Sequence, residues 1–214
     1  RAFCAMKHVG LNVAADPLYT ASYIGVNGGL VVGVADDPGM FSSQNEQDTR
    51  RHAIAAKVPV VEPSDSEECR DFVKYAFELS EKFDTPVILR LSTRVAHSRS
   101  LVELCERSVP EQKPYVKNIQ KNVMMPAMAK GRHVFVEKRM KELSEYGSDC
   151  PFNRVEMAST DIGVITSGIS YQYVKEALGE KASVLKLGLT NPLPDSLILD
   201  FAKKVKKLYV VEEL

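Results

Sequence analysis

Short apolar runs alternate with longer helical patterns along this chain. Seven apolar runs predict strands over residues 2–6, 29–35, 59–61, 86–91, 162–166, 184–187 and 208–211. Most of these runs are continuous rather than alternating, which is typical of parallel strands covered on both faces. Strand–helix–strand repetition of this kind predicts a right-handed parallel α/β fold.

The clearest helical pattern covers residues 65–83, where apolar residues recur on one face. Ser64 with Glu67 predicts a capping box at its start. Further helices are predicted over residues 49–57 after an Asp48 cap, over 132–146, over 169–179 with Gly179 as the C-cap, and over 194–207. We expect the lysines at 203, 204, 206 and 207 to occupy the last turns of that final helix, where cations suit the helix dipole.

In the middle of the chain, the hydrophobic residues do not recur with the period of a helix or a strand. Residues 98–126 contain three prolines, which favours a linker. We therefore predict a domain over residues 1–105, a linker with a helix over 106–150, and a second domain over 151–214. Because the chain begins with Arg1 and ends just after a strand, we expect it to be an internal piece of a longer protein.

Composition excludes several classes of protein. The 214 residues are 44% hydrophobic, enough for one large or two small domains. Basic and acidic residues balance at 28 each without a basic block, which argues against a nucleic-acid partner. The longest apolar stretch, residues 28–35, is too short to span a bilayer. The four cysteines are scattered without a CxxC motif, which favours reduced thiols in the cytoplasm.

Ligands of open α/β sheets bind at the carboxyl ends of strands. After the first strand, His8 is a candidate general acid or base, and Gly10 would let a ligand approach the backbone. The alternative is a plain helix start in which Asn12 caps a helix over residues 13–15. The residues alone leave both interpretations open.

The loop after the second strand is unusually polar. Residues 36–48 carry four carboxylates and no positive charge. Pro38 and Gly39 suit a tight turn, but the turn does not explain the six polar residues at 42–47. They form either a solvent-facing loop, which composition favours, or a binding loop. The sequence has neither the residue spacing of an EF-hand nor a phosphate-binding glycine loop. Taken together, the patterns predict a two-domain α/β protein that binds a small ligand at its strand ends. The protein is then either an enzyme or a non-catalytic domain.

Four segments carry more specific motifs. They are MKHVGLNVAADPLYTASYIGVNGGLVVGVADDPGMFSSQNEQDTR, EPSDSEECRDFVKYAFELSEKFDTPVILRLSTRVAHSR, ITSGISYQYVKEALG and VLKLGLTNPLPDSLILDFAKKVKKLYVVEEL. Together they resemble the alpha subunits of the indolepyruvate ferredoxin oxidoreductases, a family of thiamine-diphosphate enzymes. The resemblance covers nearly the whole chain and is weakest at residues 107–130.

The resemblance implies a fold and a reaction. The fold would be the later part of a three-layer, parallel-sheet pyrimidine-binding-type domain, followed by the start of a transketolase C-terminal-type α/β domain. The whole enzyme would decarboxylate an aryl pyruvate, pass electrons through [4Fe-4S] clusters to ferredoxin, and give the acyl group to coenzyme A. A smaller beta subunit would be its partner in a homo- or hetero-oligomer, with no nucleic-acid or membrane partner.

The resemblance also implies where the cofactors bind. The glutamate that activates thiamine diphosphate would precede Arg1, whereas the magnesium motif and the cluster cysteines would follow Leu214, so the piece alone is expected to be inactive. On this reading His8 is predicted to be catalytic, and Lys7, Gly10 and Asn12 to lie beside the cofactor. The predicted substrate contacts are Asp37, Ser43, Gln44, Asn45 and Glu46. Two alternatives are a different 2-oxo acid substrate (pyruvate, 2-oxoglutarate or a branched-chain acid) and a non-catalytic domain that holds a partner subunit.

Overall fold

The computed structural model describes residues 1–41, 43–107 and 109–213 of the chain, so Ser42 of the polar loop, Ser108 of the linker and the terminal Leu214 lie outside the described residues. The strands are β1 (Ala2–Lys7), β2 (Leu30–Asp36), β3 (Val60–Val61), β4 (Val87–Ser92), β5 (Arg154–Glu156), β6 (Ile162–Ser167), β7 (Ser183–Leu187), β8 (Leu189–Asn191) and β9 (Lys207–Val211). The α-helices are α1 (His8–Val13), α2 (Ala15–Ile24), α3 (Thr49–Ala56), α4 (Ser66–Phe83), α5 (Thr93–His97), α6 (Ile119–Asn122), α7 (Pro126–Tyr146), α8 (Ser170–Leu178) and α9 (Asp195–Ala202).

These strands form two sheets. The first has the order β1-β2-β4-β3-β8, in which β1, β2, β4 and β3 are parallel and β8 runs antiparallel to β3. The second has the order β5-β7-β6-β9, in which β7, β6 and β9 are parallel and β5 is antiparallel. All seven predicted strands are present, and the prediction of parallel α/β architecture is confirmed. The two antiparallel strands, β5 and β8, were not predicted.

Helices cover both faces of the first sheet. On one face, α4 buries Phe72, Ala76 and Leu79 against Val31 and Leu89. On the other face, α1, α2 and α3 pack on a second cluster of apolar side chains, which contains Leu11, Leu18, Val32, Val34, Ala53, Ile88 and others. Burial on both faces explains why β2 and β4 are continuous apolar runs.

Helix α7 is fixed to the first sheet's helices by a buried arginine. The guanidinium of Arg139, 1% exposed, donates to the carbonyl oxygens of Ser22, Lys57 and Asp84 at 3.1, 3.2 and 2.9 Å. Burial lowers the pKa of Arg139 to about 10, although nearby Asp84 opposes this shift. The side chain therefore remains charged at neutral pH and joins three segments of the first domain to α7.

The second sheet has its own two-sided core. Val164 and Val184 pack with Tyr171 and Val174 under α8. Ile165, Leu185, Leu187 and Phe201 form the cluster on the α9 side. The two sheets also share apolar contacts, because Phe152, which precedes β5, and Leu189 join the cluster formed by α4 and the first sheet.

Two details of the predicted helices are wrong. The capping box of α4 lies one residue later than predicted: Asp65 accepts from the Glu68 amide at 2.9 Å, and Glu68 accepts from the Ser64 amide at 2.8 Å. Helix α9 ends at Ala202, so the four lysines lie beyond its last turn. The amide of Lys206 donates to the Thr160 carbonyl at 2.8 Å, which draws the chain towards β9 instead.

The start of α7 also differs from the prediction, because the helix begins at Pro126 rather than at residue 132. Two further helix ends are as predicted. Asp48 caps α3 by accepting from the Arg50 amide at 3.0 Å, and Gly179 follows α8 with φ of 53°. Residues 98–118 form no helix or strand among those described. No helix in the described part of the chain is long and apolar enough to cross a membrane.

Candidate functional site

The carboxyl ends of the parallel strands bring several polar side chains to one edge of the first sheet. Asp37, directly after β2, accepts hydrogen bonds from Lys7 Nζ at 2.7 Å, from Ser43 Oγ at 2.5 Å and from Thr93 Oγ1 at 2.8 Å. Lys7 ends β1, and Thr93 begins α5 after β4. The hydrogen bond from Lys7, followed by that from Ser43, holds the pKa of Asp37 far below its usual range despite the side chain's 5% exposure. Asp37 is therefore a permanent acceptor rather than a proton donor at neutral pH.

The polar loop that follows is held by its own residues. Glu46 Oε2 accepts from the Gly39 amide at 2.5 Å, and Gly39 has φ of 80°, a conformation that favours glycine. Asn45 Oδ1 accepts from Gln47 at 2.8 Å, and Gln44 is exposed. Four of the five predicted substrate contacts, Asp37, Ser43, Asn45 and Glu46, thus have hydrogen-bond partners that order the loop, while Gln44 is exposed. Contact between any of the five and a substrate stays a prediction.

The predicted cofactor contacts separate into different environments. His8 is the first residue of α1 and is 1% exposed, and neither ring nitrogen has a hydrogen-bond partner among the described residues. A Cβ at Gly10 would lie 3.0 Å from the Met6 Cβ, so glycine lets α1 pack on β1 whether or not a ligand is near. Asn12 is exposed and lies inside α1. The alternative prediction that Asn12 caps a helix over residues 13–15 is wrong, because α1 begins directly after β1 and α2 begins at Ala15.

A buried ionic network beside this edge was not predicted. Arg90 in β4 donates through Nε to Asp36 Oδ2 at 2.6 Å and through Nη1 to Glu62 Oε2 at 2.8 Å. Asp36 also accepts from the Thr49 amide at 2.9 Å and from the Thr49 hydroxyl. Burial of Arg90 opposes its charge, but the carboxylates of Glu62 and Asp36 outweigh burial and raise the pKa of Arg90. The sequence signal for this network was an arginine inside an apolar strand, with acidic residues at the ends of two others.

The network continues into the second domain. Arg50 contacts Asp48 at 2.9 Å and Glu212, after β9, at 2.9 Å. Glu62 Oε1 accepts from Thr190 Oγ1 at 2.6 Å, and the Glu62 amide donates to the Gly188 carbonyl at 2.7 Å. The edge that carries the candidate site is therefore fixed in position by both domains.

The described residues contain no group of three or more His, Cys, Asp or Glu side chains placed to hold a metal ion. The four cysteines are free thiols, with Cys150 buried and Cys4 and Cys105 exposed. Burial raises the pKa of the Cys69 thiol to about 11, and Asp65 and Glu68 add to this effect. Cys69 is consequently protonated at neutral pH and a poor nucleophile.

Curated relatives match the chain along its entire length. The indolepyruvate oxidoreductase subunits IorA of Pyrococcus abyssi and Archaeoglobus fulgidus are 47% and 43% identical to it over 225 and 221 aligned residues. The IorA subunit of Methanothermobacter thermautotrophicus is 44% identical. Over its whole length, this chain is similar to these IorA subunits. The chain spans 35–36% of the length of these relatives, and no protein-family model matches it.

Solved structures agree with this assignment at the level of the fold. A 2-oxoglutarate:ferredoxin oxidoreductase from Magnetococcus marinus superposes with a TM-score of 0.70 at 17% identity, covering 97% of this chain and 45% of its own. A split-gene transketolase superposes with a TM-score of 0.56 at 16% identity, covering 98% of this chain and 56% of its own. These likenesses confirm the predicted α/β fold class. The division into domains over residues 1–105 and 151–214 stays a prediction.

Proposed function

We propose that this chain is part of a cytoplasmic, thiamine-diphosphate-dependent 2-oxoacid:ferredoxin oxidoreductase that acts on aryl pyruvates such as indolepyruvate. The observation that carries the proposal is the 43–47% identity to IorA subunits, which extends over the whole chain. The Magnetococcus enzyme, which was solved with 2-oxoglutarate, coenzyme A and succinyl-CoA bound, supports coenzyme A as the acyl acceptor. The smaller beta subunit and ferredoxin complete the proposed set of partners.

In this proposal the first sheet supplies one wall of the cofactor cleft. Thiamine diphosphate, when bound, provides the electron sink that a decarboxylated acyl carbanion requires and that side chains cannot provide. Lys7 and Asp37 form a fixed ion pair at that wall. Because Asp37 keeps its negative charge, it orients neighbouring groups rather than moving protons.

Proton transfer at this wall is assigned to His8. Histidine is the residue type that exchanges a proton near neutral pH. Its imidazole is buried, and both nitrogens lack a partner among the described residues. Buried polar atoms are normally hydrogen-bonded, so in the proposal the residues around His8 rearrange in the assembled enzyme and give its ring nitrogens a partner. Magnesium and the iron–sulfur clusters are assigned to residues beyond this chain.

Substrate contact is assigned to the exposed part of the polar loop. Gln44 and Asn45 present amides to solvent at the carboxyl edge of the first sheet. Asp37, Ser43 and Glu46 hold the loop in place through the hydrogen bonds described above. In the proposal the two amides face the 2-oxo acid, and the other three residues preserve the loop's shape.

The proposal is tested with the full-length subunit assembled with its beta partner. Oxidation of a panel of 2-oxo acids is measured with coenzyme A and ferredoxin, and assays without thiamine diphosphate serve as controls. We expect indolepyruvate and phenylpyruvate to give the highest kcat/KM. Preference for pyruvate, 2-oxoglutarate or a branched-chain acid would replace the substrate assignment, and inactivity with every acid would favour a non-catalytic interaction domain.

A further inference from the structure

A cleft of about 620 Å³ lies between α3 and the carboxyl ends of β6, β7 and β9. The first domain contributes Ile54 and the preceding arginines of α3. The second contributes apolar side chains, among them Ile165, Leu187, Ile198 and Val210. This volume falls within the roughly 300–1,000 Å³ typical of small-molecule sites.

The cleft lies where the topology of the second sheet reverses. From β6 the chain passes to β7 on one side, and it later returns to β9 on the opposite side of β6. In open α/β sheets, ligands bind at the carboxyl ends of strands at such a point. The polar edge of the first sheet is a different place, formed by β1, β2 and β4.

One positively charged side chain of the cleft has no ion pair among the described residues. Both carboxylates that line it, Asp48 and Glu212, are ion-paired with Arg50 at 2.9 Å, and Asp48 also lies 3.7 Å from Arg90. Arg51 lines the cleft, is exposed, and has no ion pair among the described residues. Ser167, at the end of β6, adds a hydroxyl to the same cleft. Apolar walls with one available guanidinium complement a ligand that has an apolar body and a single negative charge.

We propose that this cleft binds a small amphipathic carboxylic acid, with its carboxylate held by Arg51 and Ser167 and its apolar group against Ile54 and Ile198. The site is separate from the cofactor wall of the proposed function and does not depend on it. Arg50 Nε lies 3.9 Å from Glu62 Oε1. Through this contact, Arg50 connects the cleft with the ionic network beside Asp37.

Calorimetric titration of the full-length subunit, assembled with its partner, tests the site with phenylacetate as the probe. Benzyl alcohol, which has the same aromatic ring without the charge, is the ligand control. We expect Arg51→Gln to weaken phenylacetate binding about tenfold or more, since a charge-assisted hydrogen bond is lost. Ile54→Asp, a change at a residue that is 53% exposed and thus tolerant of substitution, is expected to abolish binding.

Lys204→Gln is the matched control, because it removes a positive charge from an exposed residue that is not part of the cleft. It should leave the affinity unchanged. Binding that survives both Arg51→Gln and Ile54→Asp would place the probe at another site and overturn the proposal. Absence of binding to the full-length complex would also overturn it, because the cleft would then be filled by other parts of the protein. Neither result depends on turnover of a 2-oxo acid, so the proposed function is tested separately.

Discussion

Arg90 Nε lies 2.6 Å from Asp36 Oδ2, and the two side chains are 3% and 0% exposed. Glu62, 4% exposed, contacts the same guanidinium at 2.8 Å. Two carboxylates thus share Arg90 as their nearest cation in a region without solvent, with Arg50 Nε as a further neighbour of Glu62 at 3.9 Å. A buried charge that loses its partner is strongly destabilising, whereas the intact pair contributes little beyond a matched apolar packing.

We therefore expect Arg90→Met to destabilise the chain by about 3–5 kcal/mol, since both acids would remain buried without their partner. Urea unfolding followed by circular dichroism measures the change. Lys138→Gln, at an exposed residue of α7, is the control and should shift the free energy of unfolding by less than about 0.5 kcal/mol. Equal stability of the Arg90→Met variant and the wild-type chain would show that the acids are protonated or hydrated.

The hydrogen bonds to Asp37 predict a pH-dependent stability. Because its pKa is lowered in the folded chain, the unfolded state binds more protons in acid, and the stabilisation is lost as the pH falls below about 4. Asp37→Asn should accordingly be less stable than wild type at pH 7, and the difference should shrink as the pH is lowered. Urea unfolding between pH 3 and pH 7 measures both profiles.

Lys7→Met provides the matched comparison for that experiment. It removes the hydrogen bond that lowers the pKa of Asp37 most, so the acid-induced loss of stability should be smaller than in wild type and should be complete at a higher pH. Parallel pH profiles for wild type and Asp37→Asn would be inconsistent with the ionised, hydrogen-bonded carboxylate described here.

The assignment of His8 predicts a catalytic defect. In the full-length complex, His8→Ala should lower kcat for indolepyruvate by about 100-fold or more, the usual contribution of general acid–base catalysis. His8→Gln, which retains a polar side chain, should be similarly impaired. Thermal unfolding of both variants separates loss of chemistry from loss of structure, and wild-type turnover of a folded His8→Ala enzyme would show the assignment to be wrong.

The isolated 214-residue chain is expected to bind thiamine diphosphate weakly and to leave indolepyruvate unchanged. The chain spans 35% of the length of its Pyrococcus and Archaeoglobus relatives, and the proposed function assigns the magnesium–diphosphate group to residues outside it. Calorimetry with thiamine diphosphate and magnesium measures the affinity, with the full-length complex as the positive control. Micromolar binding by the isolated chain would contradict this account.

Sequence patterns predicted the buried strands but not the two short antiparallel ones. β2 and β4 can be recognised because burial on both faces favours unbroken apolar runs. β1 is also an apolar run, although it is an edge strand with residues 2–5 exposed. β5 and β8 have only three residues each and read RVE and LTN, so neither length nor hydrophobicity distinguishes them from a loop.

The candidate site was predicted only in part for a related reason. Asp37 and the polar loop could be placed because a strand end can be recognised locally. The partners of Arg90 could not, since they lie 54 and 28 residues away in sequence, and only the strand order shows that they meet. The orphaned imidazole of His8 likewise emerges from packing, because its sequence neighbours suit an ordinary helix start equally well.

Strand β8 has a consequence for how the chain folds. It follows β7 in sequence but completes the sheet of the first domain by pairing with β3. A polypeptide cut near Asp149 would leave β3 with open backbone groups along an apolar edge, and exposed edges of this kind promote aggregation. Because β8 covers this edge from the other half of the chain, we expect the two halves to unfold together rather than in separate steps.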